Sequence, residues 1–182
     1  MLDTRTQIID LAEESIRSKG FNAFSYRDIS KVLNIKNAAI HYHFPSKANL
    51  GKAVIDRTRE RFKEETEAWK VLSPDQRLKN FIGIYEKIEA KNLICFMGSL
   101  GTDHITLPRE MQESLTESAR EIRQWLTNVL KEGKETGVFS FKEGLEERAN
   151  IIVCSLLSSL ILTRVTGDNV VSSVGNGVLK GM

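Results

Sequence analysis

The side chains with the richest chemistry lie close together near the start of the chain. Within residues 25–50 the sequence carries Arg27, His41, His43 and Lys47, interleaved with aromatic residues. On a helix, side chains two positions apart point in different directions, so the two histidines are not expected to share a metal ion. Basic and aromatic groups on one short segment instead favour contact with the phosphates and bases of a nucleic acid.

Two short helices are predicted to position these groups. Ser25 followed by Asp28 is a variant of the capping box, so a helix should begin directly after Ser25. Asn34 tolerates the left-handed conformation that a sharp turn requires. Pro45 should then end a second helix that covers residues 38–44. Two short helices joined by a tight turn form the pattern of a helix-turn-helix.

The second of these helices resembles a known family. Five residues fit the recognition-helix signature of the tetracycline-repressor (TetR/AcrR) family: Tyr42, His43, Phe44, Lys47 and Leu50. The upstream run Arg-Asp-Ile at 27–29 fits the first helix of the same motif. The rest of the chain resembles the family only in its length and its helical layout. The resemblance implies a DNA reader that acts as a homodimer and carries a small-molecule site in its C-terminal domain.

The resemblance also implies which residues contact a double-stranded DNA operator. Arg27 matches a position that often reaches a base edge, and Arg is well suited to guanine. His43 and Lys47 match phosphate contacts. His41 differs from the Tyr that is usual at its position, so the operator sequence cannot be inferred from a relative. The complete set of predicted DNA contacts is Arg27, Lys36, Asn37, Ala38, Ala39, His41, Tyr42, His43 and Lys47.

The net charge of +2 conceals a strongly basic segment. Residues 17–52 hold seven Lys or Arg residues against one acidic residue, Asp28, so the remainder of the chain is acidic overall. A basic patch over a helix-turn-helix is typical of a surface that contacts the phosphate backbone. The charge pattern therefore supports the same surface as the motif.

The composition favours an all-α fold in the cytoplasm. Only three prolines and twelve glycines occur, and the alternation typical of strands is scarce. No secretory signal is apparent at the N-terminus. The longest apolar stretch, residues 149–162, contains an Asn and several serines and is too short for a membrane span. Cys95 and Cys154 lie far apart without a C-x-x-C spacing, which is typical of a reducing compartment.

The sequence offers little support for an enzyme. It contains no Gly-rich phosphate loop, no H-E-x-x-H and no G-x-S-x-G motif. Its three histidines do not join a cluster of candidate acids, bases and nucleophiles. We therefore expect no catalytic residues, no metal site and no cofactor.

The helical pattern predicts about nine helices in two domains. Residues 1–46 should form a three-helix, helix-turn-helix DNA-binding domain, and residues 47–182 a helical ligand-binding and dimerisation domain. The first helix is expected to be capped by Thr4, and Val32 in the second helix is expected to be a core side chain. A long helix beginning at Ser46 should join the two domains.

The C-terminal domain contains more large, adaptable side chains than a small bundle needs, which predicts a pocket for a small apolar or aromatic effector. Cys95 adds an alternative, since the segment that follows it is similar to one in electrophile-sensing members of the family. No neighbouring basic residue in the sequence would lower the pKa of that thiol, which favours an inert cysteine. The predicted ligand-binding residues are Phe62, Trp69, Phe81, Tyr85, Cys95, Phe96, Met97, His104, Met111 and Trp125.

The helix predicted to begin near Glu143 is charged at first and apolar on almost every side from Ile151 onward. Such a helix must be covered on every side, either inside a monomeric bundle or by a second subunit. The family resemblance favours a second subunit, because the family uses its last two long helices for a symmetric four-helix dimer interface. The predicted interface residues are Ile152, Leu156, Leu160, Val171 and Val174.

These features favour a repressor that binds a palindromic operator as a homodimer and leaves it when a small molecule enters the C-terminal domain. Three alternatives remain open at this level. They are an activator on the same scaffold, a DNA-organising protein without an inducer, and a repressor in which Cys95 senses electrophiles or oxidants.

Overall fold

The computed structural model describes residues 3–182, and over that range the chain is all-α. The helices are α1 (Thr4–Lys19), α2 (Tyr26–Leu33), α3 (Asn37–His43), α4 (Lys47–Ala68), α5 (Pro74–Glu89), α6 (Phe96–Gly101), α7 (Arg109–Glu135), α8 (Leu145–Thr166) and α9 (Val170–Lys180). Two single 3₁₀ turns precede α5 and α7. No strand occurs within residues 3–182. The predictions of an all-α fold and of about nine helices are confirmed.

Asp3, rather than Thr4, caps the start of α1. The Asp3 carboxylate accepts a hydrogen bond from the backbone N–H of Thr6 at 2.8 Å, which places Thr4 inside the first turn. The prediction of a Thr4 cap was therefore wrong by one residue. An ionised carboxylate is a good acceptor for the free N–H groups of a first turn and also interacts favourably with the helix dipole.

The helix-turn-helix forms as the sequence predicted. The backbone N–H of Ser25 donates to the Asp28 carboxylate at 2.8 Å at the start of α2. Asn34 ends α2 in the left-handed region, with φ 52° and ψ 45°, and its N–H donates to the carbonyl of Ser30. Ile29 on α2 and Ile40 on α3 are buried where the two helices meet. The local signals in this segment therefore determine the turn.

Val32 is 68% exposed, so its prediction as a core residue was wrong. The buried side of α2 carries Tyr26, Ile29 and Ser30. Each helical residue advances about 100°, which places Val32 outside that face. The hydrophobic character of Val32 alone did not reveal which face of α2 is covered.

Two hydrophobic cores form, one towards each end of the molecule. The N-terminal core combines side chains of α1 to α4 with residues that come much later in the sequence, from α6 and the start of α7: Phe96, Leu100, Leu107, Met111 and Leu115. The second core lies between α5, α7, α8 and α9 and includes Leu78, Phe81, Leu126, Ile152 and Leu156. Helices α1 to α4 are therefore packed directly on the rest of the molecule.

The long helix α4 connects the two cores. Leu50 and Val54 near its start belong to the N-terminal core. Farther along, the Arg59 guanidinium donates to the carboxylates of Glu117 at 2.6 Å and Glu121 at 2.5 Å, both on α7. A displacement at either end of α4 must therefore be accommodated by α7.

Helix α8 is the one helix within residues 3–182 that is long and apolar enough to cross a membrane by length and composition. The helix has 22 residues and is therefore longer than the apolar stretch at residues 149–162. Length alone thus does not exclude a membrane span. Its packing against α5, α7 and α9 identifies it as a core helix of the C-terminal bundle.

Four of the five predicted interface residues face the interior of their own subunit. Ile152, Leu156 and Val171 have no exposed surface and Leu160 is 2% exposed, while Val174 is half-buried. These four side chains cannot form a surface contact with a second copy, so their assignment to a dimer interface was wrong. An all-round apolar helix gives no periodicity from which its outer face could be read.

Candidate DNA-binding surface and ligand cavity

The predicted DNA contacts lie at the start of α2, on the residue before α3, along α3 and at the start of α4. Six of them are exposed, namely Arg27, Lys36, Asn37, Ala38, His41 and Tyr42, whereas Ala39, His43 and Lys47 are half-buried. Tyr42 is 84% exposed, although tyrosine has a large apolar ring. Among residues 3–182, Arg27 and Lys36 have no ion-pair partner, so their charges are available to an external anion.

Tyr26 anchors the end of α3 beneath this surface. Its hydroxyl donates to the carbonyl of Phe44 at 2.8 Å, and burial raises the pKa of Tyr26 to about 12. The ring of Tyr26 also packs edge-on against His41, with 4.8 Å between centroids. His41 is therefore positioned by the scaffold while one side of it remains exposed.

The Lys47 side chain is held against other parts of the protein and does not extend freely into solvent, as a simple phosphate contact would. Its Nζ lies 4.6 Å from the ring centroids of both Phe21 and Phe24, which is cation–π geometry. Burial lowers the pKa of Lys47 below its ordinary value. The side chain therefore helps to hold α4 against the segment after α1, in addition to any contact it makes with DNA.

A cavity of about 280 Å³ lies between the two ends of the molecule. It is walled by α1, α4, α5, the start of α6 and α7. Its apolar lining is Phe62, Phe81, Ile84, Tyr85, Ile88, Cys95, Phe96, Met97 and Ile122. Its polar lining is Arg17, Thr58, Arg61, Glu65, Lys87, Lys91 and Ser118. The volume lies near the lower end of the range for small-molecule sites.

Glu13 on α1 is paired with three guanidinium groups next to this cavity. Its carboxylate accepts from Arg17 at 2.9 Å, Arg57 at 2.8 Å and Arg61 at 2.9 Å. Burial by itself would raise the pKa of Glu13, but the charge of Arg61 and hydrogen bonds from Arg57 and Arg61 outweigh it and hold the pKa below its ordinary value. This cluster joins α1 of the DNA-binding end to α4.

Arg17 also ties the end of α1 to the cavity wall. Its Nε donates to the carbonyl of Ile94 at 3.0 Å, and the N–H of Ile94 donates to the Arg17 carbonyl at 3.1 Å. The guanidinium lies over the ring of Phe96, 5.4 Å from its centroid. The segment that leads into α6 is thus bonded to α1 on one side and lines the cavity on the other.

Known proteins share both the motif and the whole architecture. A family model described as bacterial regulatory proteins of the tetR family matches residues 8–54. The crystal structure of a TetR transcriptional regulator from Legionella pneumophila is 30% identical, with a TM-score of 0.87, and the match covers 99% of this chain and 97% of that one. The chain belongs to the TetR family.

A second TetR-family structure, a transcriptional regulator from Agrobacterium tumefaciens, is 26% identical with a TM-score of 0.91 over 97% of this chain and 95% of that one. The HTH-type transcriptional regulator TtgR of Pseudomonas putida is 35% identical over 54 residues. That match covers 30% of this chain and only 26% of TtgR. This TetR-family protein is therefore a DNA-binding transcriptional regulator of helix-turn-helix type.

The cavity described above is lined by six of the ten residues predicted to bind a ligand: Phe62, Phe81, Tyr85, Cys95, Phe96 and Met97. Trp69 and Trp125 lie behind them, and the Trp125 ring centroid is 5.6 Å from that of Phe62. His104 lines a separate, shallow depression. Met111 is fully buried in the N-terminal core, where it packs against the backbone of Gly51. The structure thus does not bring these last four to the cavity surface.

The basic lining of the cavity was missed by the sequence analysis. Arg17 was assigned only to the basic segment around the helix-turn-helix, and Arg61, Lys87 and Lys91 were not singled out. Sequence proximity gives a partial signal, because Lys87 in the last turn of α5 and Lys91 just after the end of that helix are only four residues apart. The contribution of Arg17 could not be read locally, since it depends on contacts with residues that are distant in sequence.

Cys95 lies at the start of α6 and is 7% exposed. Burial raises the pKa of the Cys95 thiol above its ordinary value, and the charge of Arg17 and nearby backbone N–H groups only partly offset this effect. A thiol must ionise to react with an electrophile. The structure therefore favours a packing role for Cys95 over a sensing role.

Proposed function

We propose that this TetR-family regulator is a homodimeric repressor that binds a palindromic operator and leaves it when a small molecule occupies the cavity. The proposal includes residues 1–46 as the DNA-binding domain, residues 47–182 as the ligand-binding and dimerisation domain, and action in the cytoplasm. The observation that carries it is the position of the cavity, since helices of both the DNA-binding end and the C-terminal bundle wall the same space.

A ligand can release DNA only if it binds the two states of the protein with different affinity. Here a ligand would contact Arg17 and Phe96, whose cation–π contact joins α1 to the wall of the cavity. Any rearrangement that admits the ligand would therefore move the end of α1. Because α1 packs against α2 and α3, that movement would reorient the recognition helix.

The dimer would form through the outer face of α8. Five exposed residues of α8 are spaced alternately three and four positions apart, which is the spacing of a helix–helix interface. They are Ile151, Cys154, Ser158, Ile161 and Val165, and we call them the α8 stripe. Val165 is 78% exposed in the single chain. An exposed apolar stripe of this length is unfavourable in water unless a second surface covers it.

The proposal is tested by selecting DNA fragments that the purified protein binds and mapping the protected site. A protected site with two-fold symmetry and half-sites about one helical turn apart, roughly 34–36 Å, is expected. Arg27→Ala should weaken binding and also relax the preference at one base pair in each half-site. Lys36→Ala, the matched control on the same surface, should weaken binding to all sequences alike.

Loss of the gene should raise transcription from the promoter that carries the selected site. A fall in transcription would identify an activator instead. Binding that shows no sequence preference and no half-site symmetry would contradict the proposal and favour a DNA-organising protein.

A further inference from the structure

The cavity is more basic than an apolar effector would require. Arg17, Arg61, Lys87 and Lys91 line it, whereas Glu65 is the one acidic residue among its described lining. Even with Glu13 included, basic side chains outnumber acidic ones four to two. Among residues 3–182, neither Lys87 nor Lys91 has an ion-pair partner. Such an excess of uncompensated positive charge favours a bound anion.

Two of the guanidinium groups have hydrogen-bond donors to spare. Arg17 uses Nε for the Ile94 carbonyl and Nη1 for Glu13, and its Nη2 has no acceptor among residues 3–182. Arg61 bonds to Glu13 and Thr58 only through Nη2. A guanidinium carries five N–H donors in a planar fork that matches a carboxylate. Both residues therefore line the cavity with free donors of the right kind.

The charged and apolar parts of the lining lie at different depths. Lys87 and Lys91 are exposed and Arg61 keeps about half of its side chain exposed, with a value of 48%. Phe81 and Tyr85 are 2% and 4% exposed and form the inner wall. The cavity thus has a basic mouth and an aromatic interior, which fits a molecule that is charged at one end and apolar at the other.

We propose that the effector is an amphipathic monoanion, a carboxylate attached to an apolar body. This proposal rests on the proposed function of the cavity as the effector site. A volume of about 280 Å³ lies near the lower end of the range for small-molecule sites, which favours a small effector. The carboxylate binds Arg17 and Arg61 and the apolar body packs against Phe81 and Tyr85. An uncharged apolar compound of the same size leaves those donors unpaired.

The same contact would couple binding to DNA release. Arg17 and Arg61 also hold Glu13, so a ligand carboxylate that bonds to their free donors shares their positive charge with Glu13 and weakens that pairing. Weaker pairing of Glu13 loosens α1 from α4. The ligand thus favours the state in which the DNA-binding helices are displaced, which is the differential contact that release requires.

Three eight-carbon probes of nearly equal size test the charge preference: octanoate, octan-1-ol and octylamine. Binding is measured by titration calorimetry and by tryptophan fluorescence, because the Trp125 ring lies 5.5 Å from that of Phe81. Octanoate should bind at least about tenfold more tightly than octan-1-ol, since hydrogen bonds to charged groups are stronger than neutral ones. Octylamine should bind most weakly. Octanoate should also release the protein from its selected DNA site.

Substitutions at the mouth of the cavity test whether its basic residues, rather than the overall charge of the protein, determine octanoate affinity. Arg61→Met should weaken octanoate binding about tenfold and leave octan-1-ol binding unchanged. Because Arg61 also pairs with Glu13, Lys91→Gln provides a second variant outside that cluster, with an expected loss of about threefold. Lys79→Gln is the matched control, as Lys79 lies on α5, the helix that leads to Lys91, but it pairs with Asp75 and does not line the cavity. The Lys79→Gln substitution should leave the affinities for octanoate and octan-1-ol unchanged.

Octanoate binding no tighter than octan-1-ol binding would overturn the proposal, and so would failure of all three probes to bind. Equal octanoate affinity in wild type, Arg61→Met and Lys91→Gln would do the same. None of these results would affect the selected DNA site or its symmetry. Failure of the proposed function is recognised separately, by the absence of sequence-specific DNA binding in the unliganded protein.

Discussion

At the scale of single residues, Glu13 has the most demanding environment in the molecule. Its side chain is 10% exposed and is paired with three arginines. A carboxyl whose folded pKa is lowered contributes stability that is fully present above its unfolded pKa, about 4.3. That contribution is lost as the pH falls through the lower, folded pKa. Glu13 therefore links acid sensitivity to the contact between α1 and α4.

Glu13→Gln should lower the free energy of unfolding by about 2–3 kcal/mol at pH 7, because it leaves partly buried guanidinium groups without their counter-charge. The difference in unfolding free energy between variant and wild type should shrink as the pH falls below about 4.3, the ordinary pKa of an unfolded Glu, because the contribution of the ionised carboxylate is lost between that value and the lower, folded pKa. Urea unfolding of both proteins at pH 7, 5.5 and 3.5 measures this difference in unfolding free energy. Glu14→Gln, an exposed neighbour, should have almost no effect. A difference that grows as the pH falls would contradict the assignment.

At the scale of elements, the turn between α2 and α3 fixes the orientation of the recognition helix. Asn34 adopts a left-handed conformation there, and its side chain is exposed. Left-handed backbone is accessible to Gly and Asn but unfavourable for β-branched residues. The turn therefore depends on backbone freedom at this position more than on any side-chain contact.

Asn34→Gly should change the free energy of unfolding by no more than about 0.5 kcal/mol, whereas Asn34→Val should cost about 1–2 kcal/mol. The Val variant should also lose operator affinity, since relief of the strain moves α3 relative to α2. Thermal unfolding and fluorescence anisotropy with a labelled operator measure the two effects. Equal operator affinity in both variants would show that α3 is oriented by its core contacts alone.

At the scale of the whole molecule, the proposed dimer would assemble through the outer surface of α8. Ile161 on the α8 stripe is 42% exposed, whereas Leu156 on the same helix is fully buried in its own subunit. The two positions therefore separate association from folding. In the proposed function, operator binding would depend on association as well, because one protomer contacts only one of the two half-sites.

Ile161→Glu should yield a folded monomer with much weaker operator binding, because dimerisation would bury two unpaired carboxylates. Sedimentation velocity gives the assembly state and circular dichroism the helix content. Leu156→Ala is the contrasting variant: it should lose about 2–5 kcal/mol of stability through a core cavity while remaining dimeric when folded. A well-folded Ile161→Glu dimer would place the interface on another surface.

The sequence by itself determined the features that depend on neighbours within about four residues. Ser46 begins α4 as predicted, with its Oγ accepting from the N–H of Asn49 at 3.0 Å. Ser73 and Pro74 begin α5, and Asn34 makes the turn in the DNA-binding motif. Caps, turns and proline constraints act over one helical turn, so residue type and spacing are sufficient to reveal them.

Only the tertiary structure decided which faces meet. The sequence did not predict which face of α8 is exposed, because the helix is apolar on nearly every side. Leu156 and Ile161 are both large aliphatic residues, yet only Leu156 is fully buried. The basic lining of the cavity could not be predicted either, since Arg17 is held in it by a hydrogen bond to Ile94, 77 residues away. Burial and long-range pairing arise from the packing of distant segments, and local periodicity carries no information about the partner that covers a face.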